Sequence, residues 1–298
     1  MPTTYAWADL PDAVRGAVEA HIGPVIEATA ITEGQTCDVA TSLHVQNGKR
    51  VFLKGVRGVS RRMRFLRNEA AAGDLALELT PAVLFHEDIE ADSEDWLVVG
   101  FEHIVGRAAS LAPGSSDLPL VAATVNSIAE LPANGFGTLS DRWSGGSSWH
   151  DLVNADPGTT ASWNLPVSEL IEWEAKAPDA VHGDRLTHTD LHKDQFIIDS
   201  TETVHVIDWG FPAAGASWVD SAFLTIRLVG AGHRSAEAEA WARTHLRLSE
   251  ATNEQLTSFA AYVAGLWSYW ASTDGEPGAP QRARMAREYV AYRLGARL

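Results

Sequence analysis

The chain has 298 residues, 45% hydrophobic and 21% charged, and a net charge of −16; that length accommodates one large domain or two lobes with a buried core. The negative field opposes nucleic acid and anionic membrane as partners, and the single cysteine, Cys37, excludes an internal disulfide framework and reads as a reduced thiol. No apolar run is long enough to span a membrane, and MPTTYAWADLPDAV at the N-terminus offers no basic-then-apolar leader, so a cytoplasmic location is expected.

The first element is a helix over ADLPDAVRGAVEAHIG, with Val14, Val18 and Ile22 at fourfold spacing and Gly23-Pro24 as its stop. DVATSLHVQNGKRVFLKGV then alternates like two strands around Asn47-Gly48, a dipeptide that suits a tight hairpin. Lys54 falls on the second of these strands between apolar residues, where a long side chain can snorkel to an edge. Ser60 is a helix cap, and the helix is expected to reach about Leu79 with Met63, Leu66, Ala70 and Leu77 facing inward. Its start, within RGVSRRMRFLR, carries five arginines and reads as a solvated face. AVLFHEDIEADSEDWLVVGFEHI gives two more strands around an acidic turn.

After Gly106 the pattern changes to helices joined by Gly, Ser and Pro loops, with helices expected at 236–247, 253–272 and 280–297. Trp241, Trp267 and Trp270 on these helices are expected mostly in a core. The reading is an α+β chain: a sheet-rich front lobe with one inserted helix and a larger helical back lobe.

Chemistry concentrates in residues 186 to 210, LTHTDLHKDQFIIDSTETVHVIDWG, which hold three histidines and four aspartates. If the stretch is extended, His188, Asp190 and His192 share one face, an acceptable transition-metal constellation and hence a metal-dependent hydrolase. A hairpin whose polar groups merely satisfy the backbone is a second reading. Phosphoryl transfer is a third, because it needs a carboxylate to accept a hydroxyl proton and two oxygen ligands for Mg²⁺. Folding FIID and VHVID as a hairpin brings Gln195 and Asp208 to one end, near Asp190.

HTDLHKDQFIID…VIDWG resembles the catalytic-loop and metal-loop pair of the aminoglycoside phosphotransferase and choline kinase superfamily, H-G-D-x-x-x-x-N followed by a short hairpin and I-D-[WFY]. The resemblance implies a bilobal protein-kinase-like fold, with residues 1–104 as the nucleotide-binding lobe and 105–298 as the catalytic and substrate-binding lobe. It implies Asp190 as the base, Asp208 and Gln195 as Mg²⁺ ligands, His188 as a brace, and Asp220, in GASWVDSA, as the residue tying down the catalytic loop. Further forward it implies ATP held by a loop containing Gly34, by Lys54 paired to Glu69, and by backbone groups of Glu102 and Ile104 as the hinge to adenine. The chain departs from the pattern at Thr189, where glycine is usual, and at Gln195, where asparagine is usual. The second departure leaves open a nucleotide-binding protein impaired in transfer.

The expected activity is transfer of the ATP γ-phosphoryl group to a hydroxyl of a small molecule, an aminoglycoside-like antibiotic (a resistance role) or another metabolite, by a monomer or dimer. Trp143, Trp149, Trp163 and Trp173 with Glu169, Glu172 and Glu174 supply aromatics and acids that would suit a polyhydroxylated cation, or would pack and solvate a helical lobe.

Overall fold

The computed structural model describes residues 5–31, 37–76, 78–155, 157–273 and 278–295. In chain order, α1 (Asp12–Ile22) leads into β1 (Val25–Ala30), β2 (Val39–Val45), β3 (Arg50–Arg57), α2 (Arg61–Leu75), β4 (Val83–Ala91), β5 (Glu94–Glu102) and β6 (Gly106–Ala108). Six helices follow: α3 (Leu118–Ile128), α4 (Leu139–Trp143), α5 (Ser148–Ala155), α6 (Pro157–Ser162), α7 (Val167–Glu174) and α8 (Ala177–Ala180). Four short strands come next, β7 (Arg185–Thr187), β8 (Phe196–Asp199), β9 (Val204–Val206) and β10 (Ala213–Gly215). The chain ends in α9 (Val219–Gly230), α10 (Ser235–His245), α11 (Asn253–Thr273) and α12 (Ala279–Arg293). It is therefore α+β, with an antiparallel sheet towards the N-terminus and helices towards the C-terminus. No helix among the described residues is long and apolar enough to cross a membrane.

The chain divides into two compact units, one running to Ala108 and including Gln195–Pro212, the other comprising Ala109–Asp194 and the residues from Ala213 onward. The first unit is built on a five-stranded sheet of order β1-β2-β3-β5-β4, antiparallel at every pairing. The β2–β3 turn uses Asn47-Gly48 as expected, with Gly48 at φ 85° and the Asn47 side chain accepting from Lys49 N at 2.9 Å. Asp92 and Ser93 close β4–β5 with φ of 52° and 62°, the left-handed pair that a two-residue hairpin of right-handed strands requires.

Both faces of this sheet are covered, which explains the unbroken apolar run LVVGF in β5. Trp96 and Val98 pack with Leu10, Val14 and Val18 on the α1 side, and Leu97, Val99 and Phe101 pack with Met63, Leu66 and Ala70 of α2. Ser60 caps α2 by accepting from Met63 N at 3.3 Å. Leu77, expected on that helix's inner face, lies outside the described residues.

Residues 195–212 join the first unit through backbone pairing. β8 is the middle strand of a second sheet, β6-β8-β9, with Gly106 opposite Asp199. The strands approach so closely there that a Cβ on Gly106 would lie 2.5 Å from the Ile198 carbonyl oxygen. Val206 N also donates to Leu79 O at 2.7 Å, and Asn68 Nδ2 to Gly210 O at 3.1 Å.

The second unit is helical around α9, which is buried continuously from Val219 to Val229. Trp143 stacks on Tyr262 with ring centroids 4.0 Å apart, and Phe223 and Phe259 meet edge to face beside it. Trp149 is fully buried and its Nε1 donates to Ala261 O at 2.8 Å. Both tryptophans are therefore core side chains. Trp270 departs from its expectation and is exposed, whereas Trp267 is buried.

Glu174, an acid the sequence offers to a cationic ligand, is only 2% exposed and caps α5 instead. Its carboxylate accepts from Ser148 N at 3.0 Å and Trp149 N at 3.3 Å, two of the donors a helix start leaves unpaired. Burial pushes this carboxyl up to about 7, against the pull of those backbone donors. A carboxyl whose folded pKa exceeds its unfolded value of 4.5 leaves stability intact in acid and withdraws it as pH rises. Glu174 is expected to remove up to about 3 kcal/mol between roughly pH 4.5 and 7. Urea denaturation of wild type and Glu174→Gln at pH 5 and pH 7.5 isolates this contribution, the stability difference moving in the variant's favour as pH rises.

Candidate functional site

Lys54 is placed by strand period. On β3 it points to the same face as Phe52 and Val56, the face α2 covers, and its Nζ lies 5.9 Å from the centroids of both the Phe52 and Phe101 rings. An ammonium that is 7% exposed among aromatic rings needs charge partners. It has two: Glu69 Oε1 of α2 at 2.7 Å, and Asp208 Oδ1 beyond β9. Burial pulls the Lys54 pKa down, but the Asp208 and Glu69 carboxylates outweigh it and hold the ammonium above its ordinary range. Burial pushes the Glu69 carboxyl up, and Lys54 opposes that.

Asp208 is presented by a sharp local turn. Its φ is 63°, Gly210 N donates back to Asp208 O at 2.8 Å, and Trp209, fully buried, donates Nε1 to Val206 O at 3.1 Å. Ile207 N donates to Gln195 O at 3.0 Å, so the β8–β9 pairing brings the backbone beside Asp208 against Gln195, as the hairpin reading expects. Gln195 is buried, and its Oε1 has no hydrogen-bond partner among the described residues. A buried amide oxygen left so costs about 1–3 kcal/mol. An amide oxygen and a carboxylate are the donor types a hard divalent cation takes, and with two carboxylates on one ammonium the charge here is net negative. The residues fit Mg²⁺.

In the second unit, β7 pairs with β10, with Thr187 opposite Ala213, and leads into the loop at 188–194. Asp220, near the start of α9, is buried and accepts from His188 N at 2.7 Å and Thr189 N at 2.9 Å. His188 is fully buried, and its Nδ1 accepts from Asp190 N at 3.3 Å. Asp220 and His188 thus brace the loop by geometry. The extended reading of this stretch does not hold: Thr189 is left-handed at φ 65°, so His188, Asp190 and His192 do not alternate on a strand face. His188 faces the interior, while the Asp190 side chain is 36% exposed and meets Arg227 Nη2 of α9 at 2.8 Å. Burial lowers the His192 pKa toward the neutral ring. Among the described residues no three His, Cys, Asp or Glu side chains are grouped to hold a metal, which removes the basis of the histidine-cluster reading.

A β-branched residue in the left-handed region is strained by about 1–2 kcal/mol. Thr189→Gly relieves that and gives back about 0.5–1 kcal/mol through the greater freedom of the unfolded chain. A net gain of about 0.5 kcal/mol is expected, read as a higher urea midpoint at unchanged slope.

The remaining expected residues are placed less fully. Gly34 lies outside the described residues. Glu102 ends β5, and its N–H is taken by Ala82 O at 2.8 Å, so that donor is not available to a ligand; Ile104 lies just beyond the strand. Trp173 is covered by Lys176 Nζ, 4.3 Å from its ring, and donates to Glu169 at 3.2 Å; Trp163 lies under the Arg287 guanidinium at 4.2 Å. Arg227 was not foreseen, although one arginine inside the apolar run AFLTIRLVG is the signal that could have found it.

No family model matches the chain, and no curated protein matches it in sequence. Solved structures do match in fold. A choline kinase from Streptococcus pneumoniae superposes with a TM-score of 0.61 at 15% identity, covering 94% of this chain and 98% of that one. A thermostable aminoglycoside phosphotransferase mutant, captured with AMP-PNP and hygromycin B, gives a TM-score of 0.63 at 15% identity over 95% of this chain and 98% of its own. An aminoglycoside phosphotransferase from Alicyclobacillus acidocaldarius gives 0.59 at 12% identity, covering 91% and 92%. The chain shares its fold with these solved choline kinase and aminoglycoside phosphotransferase structures.

Proposed function

We propose that the protein is an ATP-dependent phosphotransferase that moves the γ-phosphoryl group to a hydroxyl of a small molecule. The observation that carries this reading is the buried Lys54 ammonium held between Glu69 and Asp208, with the orphaned Gln195 oxygen at the turn into β8, whose backbone meets the residue before Asp208. Packing alone gives no reason to bury such a set, since apolar residues of the same volume would fill the space at lower cost.

On this reading Lys54, kept in place by Glu69, binds the ATP phosphates, and Gln195 and Asp208 would hold Mg²⁺. The metal ion, when bound, neutralises phosphate charge. Asp190 accepts the proton of the acceptor hydroxyl as its oxygen bonds to the γ-phosphorus and the bond to the β-phosphate oxygen breaks, releasing ADP. The acceptor class is supported by the neighbours, one a choline kinase and another bound to hygromycin B. A cytoplasmic site of action and a monomeric or dimeric state belong to the same proposal, and a resistance role follows if the acceptor is an antibiotic.

The test is ADP release from ATP and Mg²⁺ across a panel of hydroxylated compounds that includes amino alcohols, sugars and aminoglycosides. Acceptor-dependent ADP release supports the reading. Saturable MgATP binding without turnover on any acceptor replaces it with a nucleotide-binding protein impaired in transfer.

A further inference from the structure

Helix α9 is apolar along most of its length, and its two buried charges have related partners. Asp220 and Arg227 are seven residues apart, two helical turns, and so share a face. Asp220 takes the backbone N–H groups of His188 and Thr189, and Arg227 takes the side chain of the next residue, Asp190. One helix face thus holds both the main chain of the loop and the carboxylate it carries.

Arg227 is 8% exposed, and its surroundings fix its plane as well as its charge. The guanidinium carbon lies 4.5 Å from the centroid of the Trp267 ring, and Nη2 donates to Asp190 Oδ1 at 2.8 Å. Nε is buried without a partner among the described residues. A methionine or leucine would occupy this position without stranding a donor or desolvating a charge. Burial depresses the Arg227 pKa, with the Arg282 charge from α12 adding to that and Asp190 and Asp194 opposing it. Lysine would keep the charge but not the planar fork stacked on an indole.

We propose that Arg227 is a positioning residue: stacked on Trp267, it binds one oxygen of Asp190 and leaves the other aimed at the acceptor hydroxyl. This rests on Asp190 being the base. That carboxylate meets Arg227 of α9 and acts on His192 of its own loop, Arg282 of α12 acts on Arg227, and Arg142 of α4 donates to Thr189 Oγ1 beside it at 3.4 Å.

The test uses the full chain as wild type, Arg227→Met, Arg227→Lys, Asp190→Asn and the Arg227→Met/Asp190→Asn double variant. The kcat and KM for MgATP turnover with water as acceptor are measured beside a urea denaturation curve. Arg227→Met is expected to lower kcat about tenfold or more with KM for ATP within about twofold, as for a misaimed base. Because Arg227 acts through Asp190, the double variant is expected to lose no more kcat than Asp190→Asn alone, whereas a role in folding alone would multiply the two losses. If Arg227→Met does not fold, Arg227→Lys carries the test, with a smaller loss of kcat at unchanged KM. Wild-type kcat in a folded Arg227 variant, or losses that multiply in the double variant, overturn the inference. Wild-type turnover in Asp190→Asn instead removes the base assignment on which the inference rests.

Discussion

Asp190→Asn is expected to lower phosphoryl transfer to the acceptor by about 10³-fold while ATP affinity stays within about twofold. A positioned base contributes roughly 10²–10⁴ to such a step, and the carboxamide cannot take the hydroxyl proton. Asn keeps the shape and an oxygen that can still accept from Arg227 Nη2, so the loop is expected to stay in place. The ion pair with Arg227 becomes a neutral-acceptor hydrogen bond at a cost of about 1 kcal/mol. The side chain is partly exposed, and Asp220 and His188 hold the loop backbone independently of it. The check is a kcat and KM comparison alongside a urea denaturation curve. A loss confined to kcat assigns the chemistry to the carboxylate, and a loss of folded protein does not.

Lys54→Met has the second large expected effect, on both binding and stability. Without the ammonium, Glu69 and Asp208 face each other, Glu69 buried and with no cation beside it. Removing one partner of a buried pair costs about 3 kcal/mol or more, because the other charge is left desolvated. Glu69 then ionises in the folded state only at a pH above its unfolded value, so the deficit is smaller at pH 5 than at pH 8. Denaturation at the two pH values checks the sign. Lys54→Met combined with Glu69→Gln is expected to recover part of the stability and none of the nucleotide binding. MgATP affinity is expected to fall about 10-fold to 100-fold in either variant, measured by titration calorimetry.

What the sequence revealed and what it concealed divide along physical lines. Local rules carried part of the front sheet: Asn47-Gly48 needs a left-handed turn, and alternation puts Lys54 on a strand among apolar residues. Its burial on the α2 side in place of a snorkelled edge was not legible, and its pairing to Glu69 came only with the family resemblance. That the backbone beside Asp208 meets Gln195 was legible because a hairpin with tight ends leaves few alternatives. The conformation of Thr189 was not legible, since nothing in HTDLH requires a left-handed residue until Asp220, 31 positions on, fixes its N–H. Arg227 escaped for the same reason, its partner lying 37 residues away. The tryptophans and Glu174 were ambiguous because aromatic and acidic residues serve a helical core and a cationic ligand equally well on paper. Burial and the α5 N-terminus decide between the two for Trp143, Trp149 and Glu174.

The most direct measurement of the central claim is phosphorus NMR of the full chain with ATP, Mg²⁺ and the acceptor panel. The expected result is loss of the γ-phosphate resonance, appearance of ADP, and a new phosphomonoester signal that depends on one acceptor and is absent with Asp190→Asn. Unchanged ATP with every acceptor, together with no saturable MgATP binding by the same protein, would contradict the account.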